Sequence, residues 1–145
     1  MSGIFVGVDG STHSLTALEW ALREAGVRHA PLTVITVHEV AQSGWGGSLE
    51  FPADEVMRER DRKAVQEAVD KTVAQLGDAA PSQITVQAFI GQPAPQLIEA
   101  SKDGDLLIVG SRGTGGFARL LLGSVSIQVS HHAHCPVVIV PGERH

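Results

Sequence analysis

Five short apolar runs, separated by stretches with helical spacing, constrain the fold of this chain more than any other feature. The runs cover residues 4–8, 31–40, 84–88, 105–110 and 136–140. Nearly continuous apolar strands that alternate with helices are typical of a parallel sheet covered on both faces. Right-handed crossovers leave few ways to connect five such strands. We therefore predict a single α/β domain over residues 1–145, with the strand order 3-2-1-4-5 and helices on both faces.

Apolar residues recur at helical spacing between these runs and predict four helices. The first is expected to begin at Ser11 or Thr12, which suit an N-cap, and to stop at Gly26. A long helix is expected over residues 54–76 and is closed by Gly77. The other two predicted helices start near Pro93 and at Ser124, which is expected to cap the last one.

Composition excludes several classes of function for this 145-residue chain. The net charge of -5 and the absence of Tyr argue against nucleic-acid binding, which requires clustered basic residues and stacking aromatic side chains. No apolar run approaches the roughly 20 residues that cross a bilayer, so we expect no membrane partner. The single cysteine, Cys135, cannot form an internal disulfide. This agrees with a reducing compartment, and we expect a cytoplasmic protein.

The predicted strand order reverses direction between strands 1 and 4, and this reversal predicts the position of a ligand. Ligands of open α/β sheets bind outside the carboxyl ends of the strands at such a point. Asp9, Gly10 and Ser11 follow strand 1, and the glycine-rich residues 110–116 follow strand 4. We expect these two turns to meet at one crevice.

The segment IVGSRGTGGFARLLLGSVS, residues 108–126, has the properties of a phosphate-binding loop. Its glycines allow backbone N–H groups to approach an anion, and Ser124 starts a helix whose free N–H groups favour negative charge. Residues 106–142 contain no Asp or Glu, although Arg112 and Arg119 are present. The alternative is that the glycines only allow tight turns between the strand and the helix.

Asp9 indicates what else the crevice would hold. A carboxylate repels phosphate but accepts hydrogen bonds from the hydroxyl groups of a ribose. We therefore expect a sugar near Asp9 and phosphates near Gly113 and Ser124. The alternative is that Asp9 only caps the first helix.

Two familiar nucleotide motifs do not fit the loop. A Walker P-loop requires Lys and Ser or Thr where Gly116 and Phe117 stand. The dinucleotide pattern is matched by Gly113, Gly115 and Ala118, but it follows the fourth strand and lacks the acid expected about 20 residues later. We therefore expect no dinucleotide site.

The spacing Gly110-x2-Gly113-x9-Gly123-Ser124 resembles the signature of the ATP-binding branch of the universal stress protein family. Asp9 after strand 1 and the closing strand HCPVVIVP, residues 134–141, resemble the same family. The resemblance implies contacts of Asp9 with the ribose and of the Val37 backbone with adenine. It implies a cofactor-binding set that comprises Gly7, Val8, Asp9, Ser11, Val37, Val109, Gly110, Arg112, Gly113, Thr114, Gly115, Gly116, Gly123, Ser124, Val125 and Ser126.

The function expected from these features is ATP binding with little hydrolysis, as a nucleotide-dependent regulatory or stress-response module. ADP or AMP could occupy the same loop in place of ATP, with or without Mg²⁺. One alternative is a slow ATPase or nucleotide hydrolase, completed by the glycine-rich flap at residues 41–53 or by a partner. Another is an interaction module with a vestigial pocket.

Two further expectations concern partners and metals. The last strand would lie at a sheet edge, and we expect a homodimer that pairs Val137–Val140 with its symmetry mate. The alternative is an edge shielded by Pro136 and Pro141. The segment HHAHC at residues 131–135 is expected to bind no metal, because imidazolium groups are favoured at a helix C-terminus without ligation.

Overall fold

Each of the five apolar runs forms a strand, and all neighbouring strands are parallel. The computed structural model describes residues 3–40, 52–111 and 123–142. The strands are β1 (Gly3–Val8), β2 (Leu32–Glu39), β3 (Ile84–Gly91), β4 (Gly104–Gly110) and β5 (Val137–Val140). Their order in the sheet is β3-β2-β1-β4-β5. The predicted fold class and strand order are therefore confirmed.

Helices connect the strands in the predicted alternation. They are α1 (Thr12–Arg28), α2 (Pro52–Leu76), α3 (Pro93–Ser101) and α4 (Ser124–His132). A 3-10 turn at Gly77–Ala79 follows α2, and Gly77 has a φ of 57°. Because this left-handed backbone favours glycine, Gly77 closes α2 as predicted.

The two ends of α1 illustrate one correct and one wrong prediction. Ser11 is the N-cap, and its hydroxyl oxygen accepts a hydrogen bond from the Ser14 N–H. The predicted stop at Gly26 is wrong, because α1 continues to Arg28 and His29 adopts the left-handed conformation with a φ of 54°. Gly26 instead lies directly against the carbonyl oxygen of Ala79, where a β-carbon would collide. The glycine allows the close approach of two segments.

The sheet buries one apolar cluster on each face. On one face α1 and α2 pack against the sheet, and on the other α3 and α4 do so. The first cluster includes Val6, Leu18, Leu22, Val69 and Ile108. The second includes Ile35, Leu97, Leu107, Val109 and Val129. The helix that follows β1 is α1, and the helix that follows β4 is α4. These two helices therefore pack on opposite faces of the sheet.

The 25-residue α2 is the longest helix of the described part of the chain and carries many charges. None of the described helices combines the length and the apolar character needed to cross a bilayer. The side chain of His38 on β2 contacts α2. Its Nε2 lies 2.9 Å from Asp54 Oδ1. His38 Nδ1 lies 3.6 Å from Asp61 Oδ2, one further contact with the same helix.

Candidate functional site

The carboxyl ends of β1 and β4 lie side by side at the centre of the sheet. Val6 is opposite Ile108 in the register of the two strands, which end at Val8 and Gly110. The direction of the strand order reverses between them, because β2 and β3 lie beyond β1 and β5 lies beyond β4. We call this region, with residues 9–11, 14, 110–111 and 123–126, the β1/β4 edge. It is the region where the sequence predicts a ligand.

The turn after β1 presents an exposed carboxylate at this edge. Asp9 is exposed, and its Oδ1 accepts a hydrogen bond of 2.9 Å from the Ser11 N–H. Gly10 has a φ of 84°, a conformation that side-chain-bearing residues rarely adopt. Asp9 is thus not the N-cap of α1, which is Ser11, but its carboxylate does shape the turn.

The turn after β4 brings the start of α4 back to the end of the strand. Ser111 N–H donates to the Val140 carbonyl at 2.9 Å, and Gly123 N–H donates to the Ser111 carbonyl. Gly123 has an extended backbone and is the N-cap of α4. The prediction that Ser124 caps this helix is therefore wrong by one position. Ser124 is the first helical residue and is exposed.

Two buried serines at this edge have their hydroxyl groups bonded to the backbone. Ser126 is 2% exposed, and its hydroxyl lies 2.9 Å from the Gly123 carbonyl and 3.2 Å from that of Ser111. Ser14 is 4% exposed, donates to the Ser11 carbonyl and accepts from the Asp9 N–H. Ser126 belongs to the predicted cofactor-binding set, whereas Ser14 does not. Ser14 lies three residues after the N-cap serine, Ser11, and this spacing was the sequence signal that could have identified it.

Other members of the predicted set are part of the sheet and its packing. Val8 is 6% exposed and Val109 is 3% exposed, so their side chains belong to the core. Gly7 lies under the side chain of Leu97, which occupies the space of a β-carbon. Val37 is half-buried near the end of β2, where its backbone belongs to the strand. Any contact of these residues with a ligand would involve mainly backbone atoms.

Part of the predicted phosphate loop lies outside the described residues. This applies to Arg112, Gly113, Thr114, Gly115 and Gly116. It also applies to residues 41–51 of the predicted flap. Of the predicted residues, Asp9 and Ser11 lie in the turn after β1. The end of β4 and the start of α4 carry Gly110, Gly123, Ser124, Val125 and Ser126.

The HHAHC segment contributes no assembled metal site in the part of the chain that is described. There, no group of three His, Cys, Asp or Glu side chains is arranged to hold a metal ion. Burial raises the pKa of the Cys135 thiol, and the negative charge of Asp105 raises it further. The thiol form of this side chain is therefore favoured over the nucleophilic thiolate.

Comparison with known sequences shows what the chain is related to. The sequence profile of the universal stress protein family matches residues 1–141. A universal stress protein of Mycolicibacterium smegmatis is 38% identical over 144 residues, which cover 97% of this chain and 48% of the relative. The chain thus spans about half the length of the curated relatives it matches.

Solved structures with the same fold lead to the same family. The universal stress protein UspA from Lactobacillus plantarum has a TM-score of 0.71 at 25% identity, with 96% of this chain and 97% of that chain covered. A universal stress protein solved in complex with cAMP has a TM-score of 0.69 at 28% identity, with 97% and 98% covered. From the match over nearly the whole chain, we conclude that this chain belongs to the universal stress protein family.

Proposed function

We propose that this universal stress protein binds ATP at the β1/β4 edge and acts as a nucleotide-dependent regulatory module. The observation that carries the proposal is the adjacency of two strand-to-helix turns where the strand order reverses. One turn presents the Asp9 carboxylate, and the other leads into the N-terminus of α4. The cAMP complex of a protein 28% identical to this chain supports an adenine nucleotide as the ligand.

The proposed binding mode gives each turn a different part of the nucleotide. Asp9 would accept hydrogen bonds from the ribose hydroxyls, since a carboxylate is an acceptor only. The N–H groups in the first turn of α4 have no intrahelical acceptor, and the helix dipole favours an anion beside them. Ser124 and Val125 lie in this turn, so we assign the phosphates to them. The assignment of phosphate contacts to residues 112–116 follows from their glycine-rich sequence and the family resemblance.

We propose that hydrolysis is slow. Phosphoryl transfer requires positive charge at the leaving oxygens, a positioned water and usually a metal held by carboxylates. Residues 106–142 contain no Asp or Glu, and Asp9 is assigned to the sugar. Mg²⁺ bound with ATP would therefore be held mainly by the phosphates.

Three measurements on the purified protein test this function. Chromatography of the small molecules released on denaturation is expected to show an adenine nucleotide, and calorimetry is expected to detect binding of added ATP. Turnover of ATP is expected to lie well below about 1 s⁻¹, the lower end of ordinary enzyme rates. No released nucleotide together with no ATP affinity would contradict the proposal. Turnover above that rate would favour the hydrolase instead.

We also propose that the chain forms a homodimer through β5, which lies at an edge of the sheet. The Pro136 and Val140 carbonyls accept hydrogen bonds from β4 and its continuation. Because backbone groups alternate along a strand, those of Val137 and Ile139 point toward the open edge. An unpaired edge of this kind favours pairing with a second copy.

Sedimentation of the wild-type chain is expected to give twice the mass of the single chain. Val137→Pro removes one outward-facing N–H and leaves the β4 pairing in place, so this variant is expected to sediment as a monomer. A monomeric wild type would contradict the dimer and favour the edge shielded by Pro136 and Pro141. A dimeric Val137→Pro variant would place the interface elsewhere.

A further inference from the structure

We propose that Ser14 and Ser126 are a matched pair of positioning residues, which hold the N-termini of α1 and α4 at the two sides of the β1/β4 edge. Their hydroxyl groups stabilise the two turns by hydrogen bonds to the backbone, and they do not contact the ligand. The part of this inference that concerns nucleotide affinity rests on the proposed function. The part that concerns the turns can be tested on the nucleotide-free protein.

Ser14 braces the turn between β1 and α1 from inside the protein. Its hydroxyl donates to the Ser11 carbonyl at 3.0 Å and accepts from the Asp9 N–H at 3.1 Å. The Ser14 N–H in turn donates to the Ser11 hydroxyl at 3.2 Å. One buried side chain thus joins the residue that follows β1 to the N-cap of α1. The backbone of Asp9, and with it the exposed carboxylate, is fixed by this contact.

Ser126 holds the turn between β4 and α4 through contacts with the corresponding residues, although both of its partners are carbonyls. Its hydroxyl is shared between the Gly123 carbonyl at 2.9 Å and the Ser111 carbonyl at 3.2 Å. The Ser111 carbonyl also accepts from the Gly123 N–H, and the Ser111 N–H donates to the Val140 carbonyl. Ser111 is therefore the point where β4, β5 and α4 are joined. Ser126 keeps the first turn of α4 against this point.

The two serines occupy equivalent positions in the two turns. Each is the third helical residue after its N-cap, Ser11 or Gly123. Each reaches the carbonyl of that N-cap and the backbone of the first residue after the strand, which is Asp9 or Ser111. In each of the two turns that flank the proposed ligand, a buried serine therefore links the N-cap of the helix to the first residue after the strand.

The burial of both serine side chains indicates a positioning role and not direct contact with a ligand. Ser14 is 4% exposed and Ser126 is 2% exposed, and the single hydroxyl proton of each is donated to a backbone carbonyl. A ligand at the edge would meet Asp9 and Ser124, both of which are exposed. Binding groups must be held to within about 0.5 Å of the productive geometry by the residues behind them. Ser14 and Ser126 supply that support.

The test compares Ser14→Ala and Ser126→Ala with a matched control, Ser101→Ala. Ser101 is 1% exposed, donates to the Ile98 carbonyl at 2.6 Å and accepts from the His134 N–H at 2.9 Å. It lies at the end of α3, on the side of the sheet where β4 begins. All three variants lose a buried hydroxyl with two contacts, so their stabilities are expected to fall by similar amounts.

Amide exchange detected by NMR in the nucleotide-free proteins measures the turns directly. Ser14→Ala removes the acceptor of the Asp9 N–H, and exchange of that amide is expected to be about fivefold faster. Ser126→Ala keeps the acceptor of the Gly123 N–H, the Ser111 carbonyl, but removes the hydroxyl beside it. Because the turn then opens more readily, exchange of the Gly123 amide is also expected to be about fivefold faster. Ser101→Ala is expected to leave both rates unchanged. If neither serine variant speeds exchange at its own turn more than Ser101→Ala does, the proposal is overturned.

Calorimetry with ATP then measures the consequence for the ligand. Ser14→Ala and Ser126→Ala are each expected to bind ATP about tenfold more weakly, while Ser101→Ala binds as the wild type does. Equal affinity in all four proteins would overturn the positioning role. A wild type that binds no ATP would contradict the proposed function, and the exchange rates would still decide whether the serines hold the turns.

Discussion

Replacing Gly26 with alanine is expected to lower the free energy of unfolding by about 2 kcal/mol. The new β-carbon would lie on the carbonyl oxygen of Ala79 and 3.0 Å from its carbonyl carbon. These are backbone atoms, so the collision cannot be relieved by rotating a side chain. Helix propensity acts in the opposite direction, because alanine is favoured over glycine inside a helix by about 1 kcal/mol. Urea unfolding followed by circular dichroism measures the sum.

Gly77→Ala is the control for this substitution, because Gly77 has open space around its α-carbon. Nothing lies within 4 Å of a β-carbon built there, and its φ is 57°. We expect a cost of about 1 kcal/mol, from the left-handed backbone alone. If Gly26→Ala were as stable as the wild type or more stable, the contact with Ala79 would not be the reason for the glycine.

Gly26 shows why helix ends are harder to predict than the helices themselves. A glycine after a run of helical spacing is the usual sign of a helix end. The same residue type is also required where two segments approach closely, and the partner here, Ala79, is distant in the sequence. Local sequence cannot distinguish these two uses. His29 supplies the left-handed end instead, and its N–H donates to the Gly26 carbonyl.

The sheet could be predicted well because its determinants are local. Each strand is an apolar run bounded by turn residues, and parallel connections through helices leave few possible orders. The observed order matches the prediction, and β4, at Gly104–Gly110, begins one residue before the predicted run. This order also determines which turns are neighbours. The position of the β1/β4 edge was therefore predictable without any knowledge of side-chain contacts.

The roles of individual side chains at that edge were less predictable. Sequence shows that a serine is present but not whether its hydroxyl faces the ligand or the backbone. Ser124 and Ser126 are two residues apart at the start of α4, yet the first is exposed and the second is buried. The rotation of the helix about its axis decides this difference, and that rotation is set by packing against the rest of the fold.

Asp9 is the side chain on which the ribose assignment depends. We expect Asp9→Ala to weaken ATP binding by about thirtyfold, or about 2 kcal/mol, the range for a hydrogen bond to a charged group. Alanine also removes the acceptor of the Ser11 N–H, so this variant by itself does not separate the ligand from the turn. Calorimetry on a second variant is needed for that separation.

Asp9→Asn separates the two roles, because the amide oxygen can still accept from the Ser11 N–H while the NH₂ group cannot accept from a ribose hydroxyl. We expect it to keep the stability of the wild type and to lose most of the affinity that Asp9→Ala loses. Asp105→Asn, at the other end of β4 and also exposed, makes the same change of charge and is expected to bind ATP normally. If Asp9→Asn bound ATP as the wild type does while Asp9→Ala did not, the carboxylate would serve the turn alone. The sugar would then have to be placed elsewhere along the β1/β4 edge.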